Sequence, residues 1–151
     1  MKKTRSTLTL IFLTVFLIST FCFPVCATSE QSVTYLEDGS YYITTITVFP
    51  SVQTGRAASS ISGQKTRDFY NSSREKLYSL TVIGSFTYNG SSAIATGSDY
   101  DYSIQMSTWS FVRGSASCSG ASATATATFR LLTATVPATV TLTCSANGTL
   151  S

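Results

Sequence analysis

The chain has 151 residues, 43% of them hydrophobic and only 11% charged, and contains no histidine. The missing imidazole removes the usual general base, the Ser–His and Cys–His nucleophile pairs and the commonest zinc ligand. The formal charge of +3 comes from the first residues: without Lys2, Lys3 and Arg5, seven basic residues face seven acidic ones, and a neutral surface has little long-range pull on nucleic acid or anionic lipid.

Residues 1–27 read as a signal-peptide helix. A basic start (Lys2, Lys3, Arg5) precedes an apolar run from Leu8 to Phe23, and Val25-Cys26-Ala27 offers the small or aliphatic residues that a signal peptidase accepts. The run falls short of the roughly 20 residues a spanning helix needs, so cleavage and secretion are expected, with no stable membrane anchor afterwards. The secreted domain is then 28–151, in which Ser and Thr make up 43 of the 124 residues. Hydroxyls rather than charges keep such a chain wet, and Thr fits a pleated strand through its branched Cβ.

Strand periodicity runs through most of this domain. Tyr41 to Val48 makes an early strand after the turn residues Glu37-Asp38-Gly39-Ser40. Residues 49–64 do not alternate and read as a long flexible loop: a mobile crossover or, with Arg56, Lys65 and Arg67 nearby, a binding loop facing an anionic surface. Asn71-Ser72-Ser73 interrupts anything helical between 67 and 78. From Tyr78 to Tyr88 one parity holds Tyr78, Leu80, Val82, Phe86 and Tyr88, and Asn89-Gly90 then suits a tight turn. Tyr100, Tyr102, Ile104 and Met106 alternate with Asp99, Asp101, Ser103 and Gln105. Trp109 and Phe111 open another strand. After Ser119-Gly120, Ala121 to Leu131 alternates small apolar residues with Ser and Thr. Pro137 marks a turn, Val140, Leu142 and Cys144 share the inward parity of the last strand, and Asn147-Gly148 closes the chain. Six to eight such strands give an all-β fold, a single antiparallel β-sandwich of Ig-like or Greek-key type.

Four cysteines become two after cleavage, Cys118 and Cys144. In an oxidising compartment they invite one disulfide, but a simple meander places Cys144 near Ala127, several residues from Cys118, against a limit of about 7 Å between Cα atoms. Greek-key order would bring them closer. No metal or cofactor is expected. Asp99 and Asp101 share a strand face, as a solvated polar face with Tyr100 and Tyr102 behind it rather than as calcium ligands or half of a glycosidase pair. Most aromatics read as packing. Tyr41 and Tyr42 differ, since neighbours on a strand face opposite sides, so one of them is expected to be exposed for binding. Asn71-Ser72-Ser73, Asn89-Gly90-Ser91 and Asn147-Gly148-Thr149 match the glycosylation sequon and read as turns.

Three stretches carry a resemblance: Tyr35-Leu36-Glu37-Asp38-Gly39-Ser40-Tyr41-Tyr42, Ser85-Phe86-Thr87-Tyr88-Asn89-Gly90-Ser91, and Val140 to Ser151. Together the chain resembles a family of small secreted proteins of unestablished function from Gram-positive, clostridia-like bacteria. The resemblance implies secretion and a Gram-positive source. It also implies a cysteine soon after the Asn-Gly-Ser turn as partner for the last one, where this chain has Ala93-Ile94-Ala95-Thr96. The expected function is a non-catalytic extracellular binding or envelope-associated module whose partner is a glycan or envelope component. The alternatives are a small secreted toxin or bacteriocin-like protein, and a carboxylate-dependent hydrolase.

Overall fold

The computed structural model describes residues 28–49 and 59–151. The expected signal-peptide helix lies outside the described residues, as do 50–58 of the expected loop. The described chain is all-β: eight strands in two antiparallel sheets, β1 (Thr28–Tyr35), β2 (Tyr41–Phe49), β3 (Ser59–Tyr70), β4 (Lys76–Tyr88) and β5 (Ala93–Ile104) in one, and β6 (Trp109–Ser119), β7 (Ser122–Leu131) and β8 (Ala134–Thr143) in the other. Two of the strands break the expected boundaries. Phe49 ends β2 and Ser59–Gln64 begins β3, so much of the 49–64 stretch is strand and not loop.

Strand order is sequential within each sheet. The Ig-like or Greek-key order is therefore corrected to an up-and-down meander. The reason is local. Most successive strands are joined by a few residues with turn chemistry, and a tight turn returns the chain alongside the strand it has just left. Asp38 accepts hydrogen bonds from the Ser40 hydroxyl and amide, which hold its carboxyl below the usual range. Gly39, Gly90 and Gly120 take positive φ at these corners. Pro137 does not turn the chain. It sits within β8 opposite Thr128, on the edge strand of its sheet, where a missing N–H costs no ladder bond. The turn is made instead by Leu132 and Thr133, with Leu132 at φ 55°.

Moving that turn shifts the register. Ala127 opposes Ala138 rather than Cys144, and the Cys144 amide donates to the Ala121 carbonyl at 2.9 Å. Cys118, on strand β6, opposes Ala123, which opposes Leu142. Leu142 thus lies two strand spacings, roughly 9–10 Å, from Cys118, and Cys144 lies two residues further along, beyond disulfide reach. Both thiols are free, Cys118 exposed and Cys144 buried, and burial pushes the Cys144 thiol up. In the chain lacking 1–27, one maleimide is expected to add promptly at Cys118 and a second only after unfolding. An intact-mass time course reads this directly, and a mass showing a bridge would contradict it.

One buried cluster joins the two sheets: Leu80, Val82 and Phe86 of β4 lie with Ala123, Ala125, Ala127 and Phe129 of β7 and with Ala138, Val140 and Leu142 of β8. The alanines let the layers approach closely. At one end the ring of Tyr78 meets Phe69 at 4.6 Å, Trp109 at 4.8 Å and Phe129 at 4.1 Å between centroids. Burial raises the Tyr78 phenol to about 12, because a phenolate there loses its hydration. The unfolded value is about 10. Stability from this group is therefore complete below about pH 10 and is lost as the pH rises towards 12. Base titration followed by circular dichroism is expected to cost the wild type roughly 2 kcal/mol that Tyr78→Phe keeps; identical alkaline profiles would contradict this.

Candidate functional site

The five-stranded sheet has two accessible regions, and Tyr41 and Tyr42 divide them as strand alternation requires. Both are half-buried, so neither is the exposed ring that the sequence leads one to expect. On the outer face, register lines up Tyr35, Tyr41 and Tyr70 across β1, β2 and β3. Tyr41 stacks on Tyr70 at 4.8 Å with 2° between planes, and Tyr35 leans on Tyr41 at 5.4 Å and 40°. The row therefore offers phenol-bearing edges along its length. Tyr35, on the edge strand and 73% exposed, adds ring surface open to a ligand. Next to the row on this face lie Val33, Ile43 and Asp68, and four residues along the strands from the tyrosines come the hydroxyls of Thr45, Thr66 and Thr81, with Thr66 and Thr81 bonded at 2.8 Å.

On the inner face the same sheet extends past the small one. A groove of about 450 Å³ opens there between β1 and the segment Thr149–Ser151. That segment is held by paired main-chain bonds of 2.9 Å between Ser151 and Thr143. Tyr42, Thr44 and Ile46 of β2 and Lys65 and Arg67 of β3 line it, with Glu30, Ser32 and Thr34 from β1. Lys65 and Arg67 occupy the parity of Ile61 and Phe69, facing the positions of Val82 and Leu80. They are thus cations at core parity on a strand that the small sheet only partly covers. The Arg67 guanidinium lies 4.7 Å from the Tyr42 ring centre and donates to the Thr139 carbonyl at the open edge of β8, at 3.1 Å. Its Nε is shielded from solvent and has no hydrogen-bond partner among the described residues.

Burial, and secondarily the charge of Arg67, lowers the Lys65 ammonium below the usual lysine range. A group whose charged form the fold disfavours weakens the fold while charged. Lys65→Met is expected to raise stability by a few tenths to about 1 kcal/mol at neutral pH, the modest figure reflecting solvent screening. A urea melt checks the sign, and a destabilised variant would contradict it.

Asp99 and Asp101 face the outer side of β5 opposite Ile83 and Thr81, each accepting from the next residue's amide at 2.8 Å. Behind them the Tyr102 ring stacks on Phe111 at 3.8 Å. Asp68 pairs with Lys76 at 2.9 Å. Asn71 and Asn89 cap their turns through side-chain oxygens. Among the described residues, no three His, Cys, Asp or Glu converge as a metal site. Arg56 lies outside the described residues. The outer face of the small sheet carries hydroxyl rows, Ser117–Thr124–Thr141 and Ser115–Thr126–Thr139 among them, several bonded to one another.

Sequence reasoning missed Tyr35 and Tyr70 as partners of Tyr41, because the row exists only through cross-strand register. It also placed Lys65 and Arg67 beside a loop, although their shared parity with Ile61 and Phe69 was the available signal. Compared with known protein families, characterised proteins and solved structures, the chain matches none.

Proposed function

We propose that this chain is an exported, non-catalytic binding module. Residues 1–27 direct its export. Residues 28–151 stack as a β-sandwich and present the outer tyrosine row to an extracellular glycan or envelope component, in keeping with the resemblance to small secreted Gram-positive proteins. The observation that carries the reading is the Tyr35–Tyr41–Tyr70 row. Tyrosine combines an apolar body with a polar tip. A sugar presents the matching surface, C–H groups on its ring faces and hydroxyls round its rim. The strands already hold the rings in place, so little side-chain freedom is lost when a ligand settles on them. The tyrosine hydroxyls both donate and accept.

A glycan array tests the reading. Saturable binding to a defined set of glycans is expected, weakened roughly ten-fold by Tyr35→Ala. That side chain is largely exposed, so its loss leaves the fold intact, as a thermal melt will confirm. An array without signal, or one indifferent to Tyr35→Ala and Tyr41→Ala, overturns the reading.

A further inference from the structure

We infer that the inner-face groove is a second binding site, for a carboxylated saccharide such as a uronic-acid residue. Three observations converge on this ligand. First, two cations share the groove wall: Lys65 and Arg67 stand two apart on one strand face, roughly 7 Å between Cα atoms. No carboxylate among the described residues lies within ion-pair distance of either. Charges at core parity are ordinarily paired, so this arrangement leaves a place for an anion between them. Second, Arg67 is pre-positioned. The Tyr42 ring and the Thr139 carbonyl fix its guanidinium. A planar carboxylate matches a guanidinium edge with two parallel hydrogen bonds.

Third, the rest of the wall mixes hydroxyls with the apolar Ile46 and Leu150. Ser32, Thr34, Thr44 and Thr149 line it. Such a mixed wall suits a sugar, which combines hydroxyls with apolar C–H faces, and the two cations favour one that carries a carboxylate. A volume of about 450 Å³ falls in the range that holds small ligands. Glu30, on the β1 side opposite Ile46, repels the carboxylate and orients it towards β3. This site lies on the other face of the sheet from the tyrosine row, so the two readings can fail separately.

Calorimetric titration in low salt tests the site with a short oligogalacturonate, with its carboxyl-reduced neutral counterpart, and with sodium sulfate. The acid is expected to bind saturably, the neutral sugar about ten-fold more weakly or not at all, and sulfate weakly. Lys65→Gln should lose about ten-fold in affinity and Glu30→Gln should gain. Lys76→Gln, which removes a cation from the far side of the sheet, should change nothing. Arg67→Lys keeps the charge but loses the planar fork, and should lie between. Thermal melts of each variant confirm that it is folded. Equal affinity for the neutral sugar, or an unaffected Lys65→Gln, overturns the inference. So does sulfate binding as tightly as the acid, or the absence of any heat with the acid. Binding of a neutral glycan lost only in Tyr35→Ala would keep the tyrosine row and discard the groove.

Discussion

Phe129→Ala is expected to cost about 3–5 kcal/mol, a large share of the 5–15 kcal/mol that holds a typical domain, and to lower Tm by roughly 10–20 °C. Phe129 is fully buried on β7. Its ring stacks on Tyr78 at 4.1 Å and meets Phe111 and Tyr102 edge-on at 5.9 and 6.3 Å. Removing it deletes buried area and leaves a space that the neighbours fill poorly. Tyr78 is pinned on its other side by Phe69 and Trp109, and on β7 the inward neighbour Ala127 has no reach. The cost therefore belongs at the upper end of the range. Chemical melts of Phe129→Ala and Phe129→Leu check this; a loss below about 1 kcal/mol for the alanine would show that the two sheets do not close on this ring.

Gly84→Val is expected to cost about 3 kcal/mol through overpacking. Gly84 on β4 pairs with Gly63 on β3, and the two together make a notch in the inner face. A Cβ at Gly84 would lie 2.7 Å from Cε2 and Cζ of Phe86 and 3.1 Å from the Ala123 Cβ. One at Gly63 would meet Leu150 Cδ1 and the Thr47 carbonyl, each at 2.6 Å. Phe86 and Ala123 are both buried, so neither has free space to move into. Valine's better strand propensity recovers about 1 kcal/mol at most, and the clash wins. The matching cycle is specific: Phe86→Leu should soften the penalty of Gly84→Val, with a coupling of at least about 1 kcal/mol. Strict additivity would place the clash elsewhere.

Much of this architecture was legible in the sequence, and the failures share one cause. β4, β7 and the end of β8 alternate cleanly because each buries one face against the other sheet. β1 and β3 lacked that signal. β1 is exposed along its whole length, so nothing constrains its side chains to alternate. The inner positions of β3 hold Gly63, Lys65 and Arg67 between Ile61 and Phe69: a glycine for close approach and two cations for an open groove. The residues that hide the strand from a hydrophobicity pattern are the ones that build the candidate site. Pro137 misled for a related reason, since proline punctuates a chain except on an edge strand, and edge position is a property of the sheet. That single misplacement carried the register of Cys144 with it. The division of Tyr41 and Tyr42 between two faces needed only strand parity, while their partners needed register between strands.

The most direct test of the account is an amide NMR titration of isotope-labelled protein with the glycan that binds best on the array, with the ligand recovered afterwards and weighed. The account predicts saturable shifts centred on Tyr35, Tyr41 and Tyr70 and a ligand of unchanged mass. Shifts confined to the hydroxyl rows of β6–β8, or a ligand returned cleaved, would contradict it.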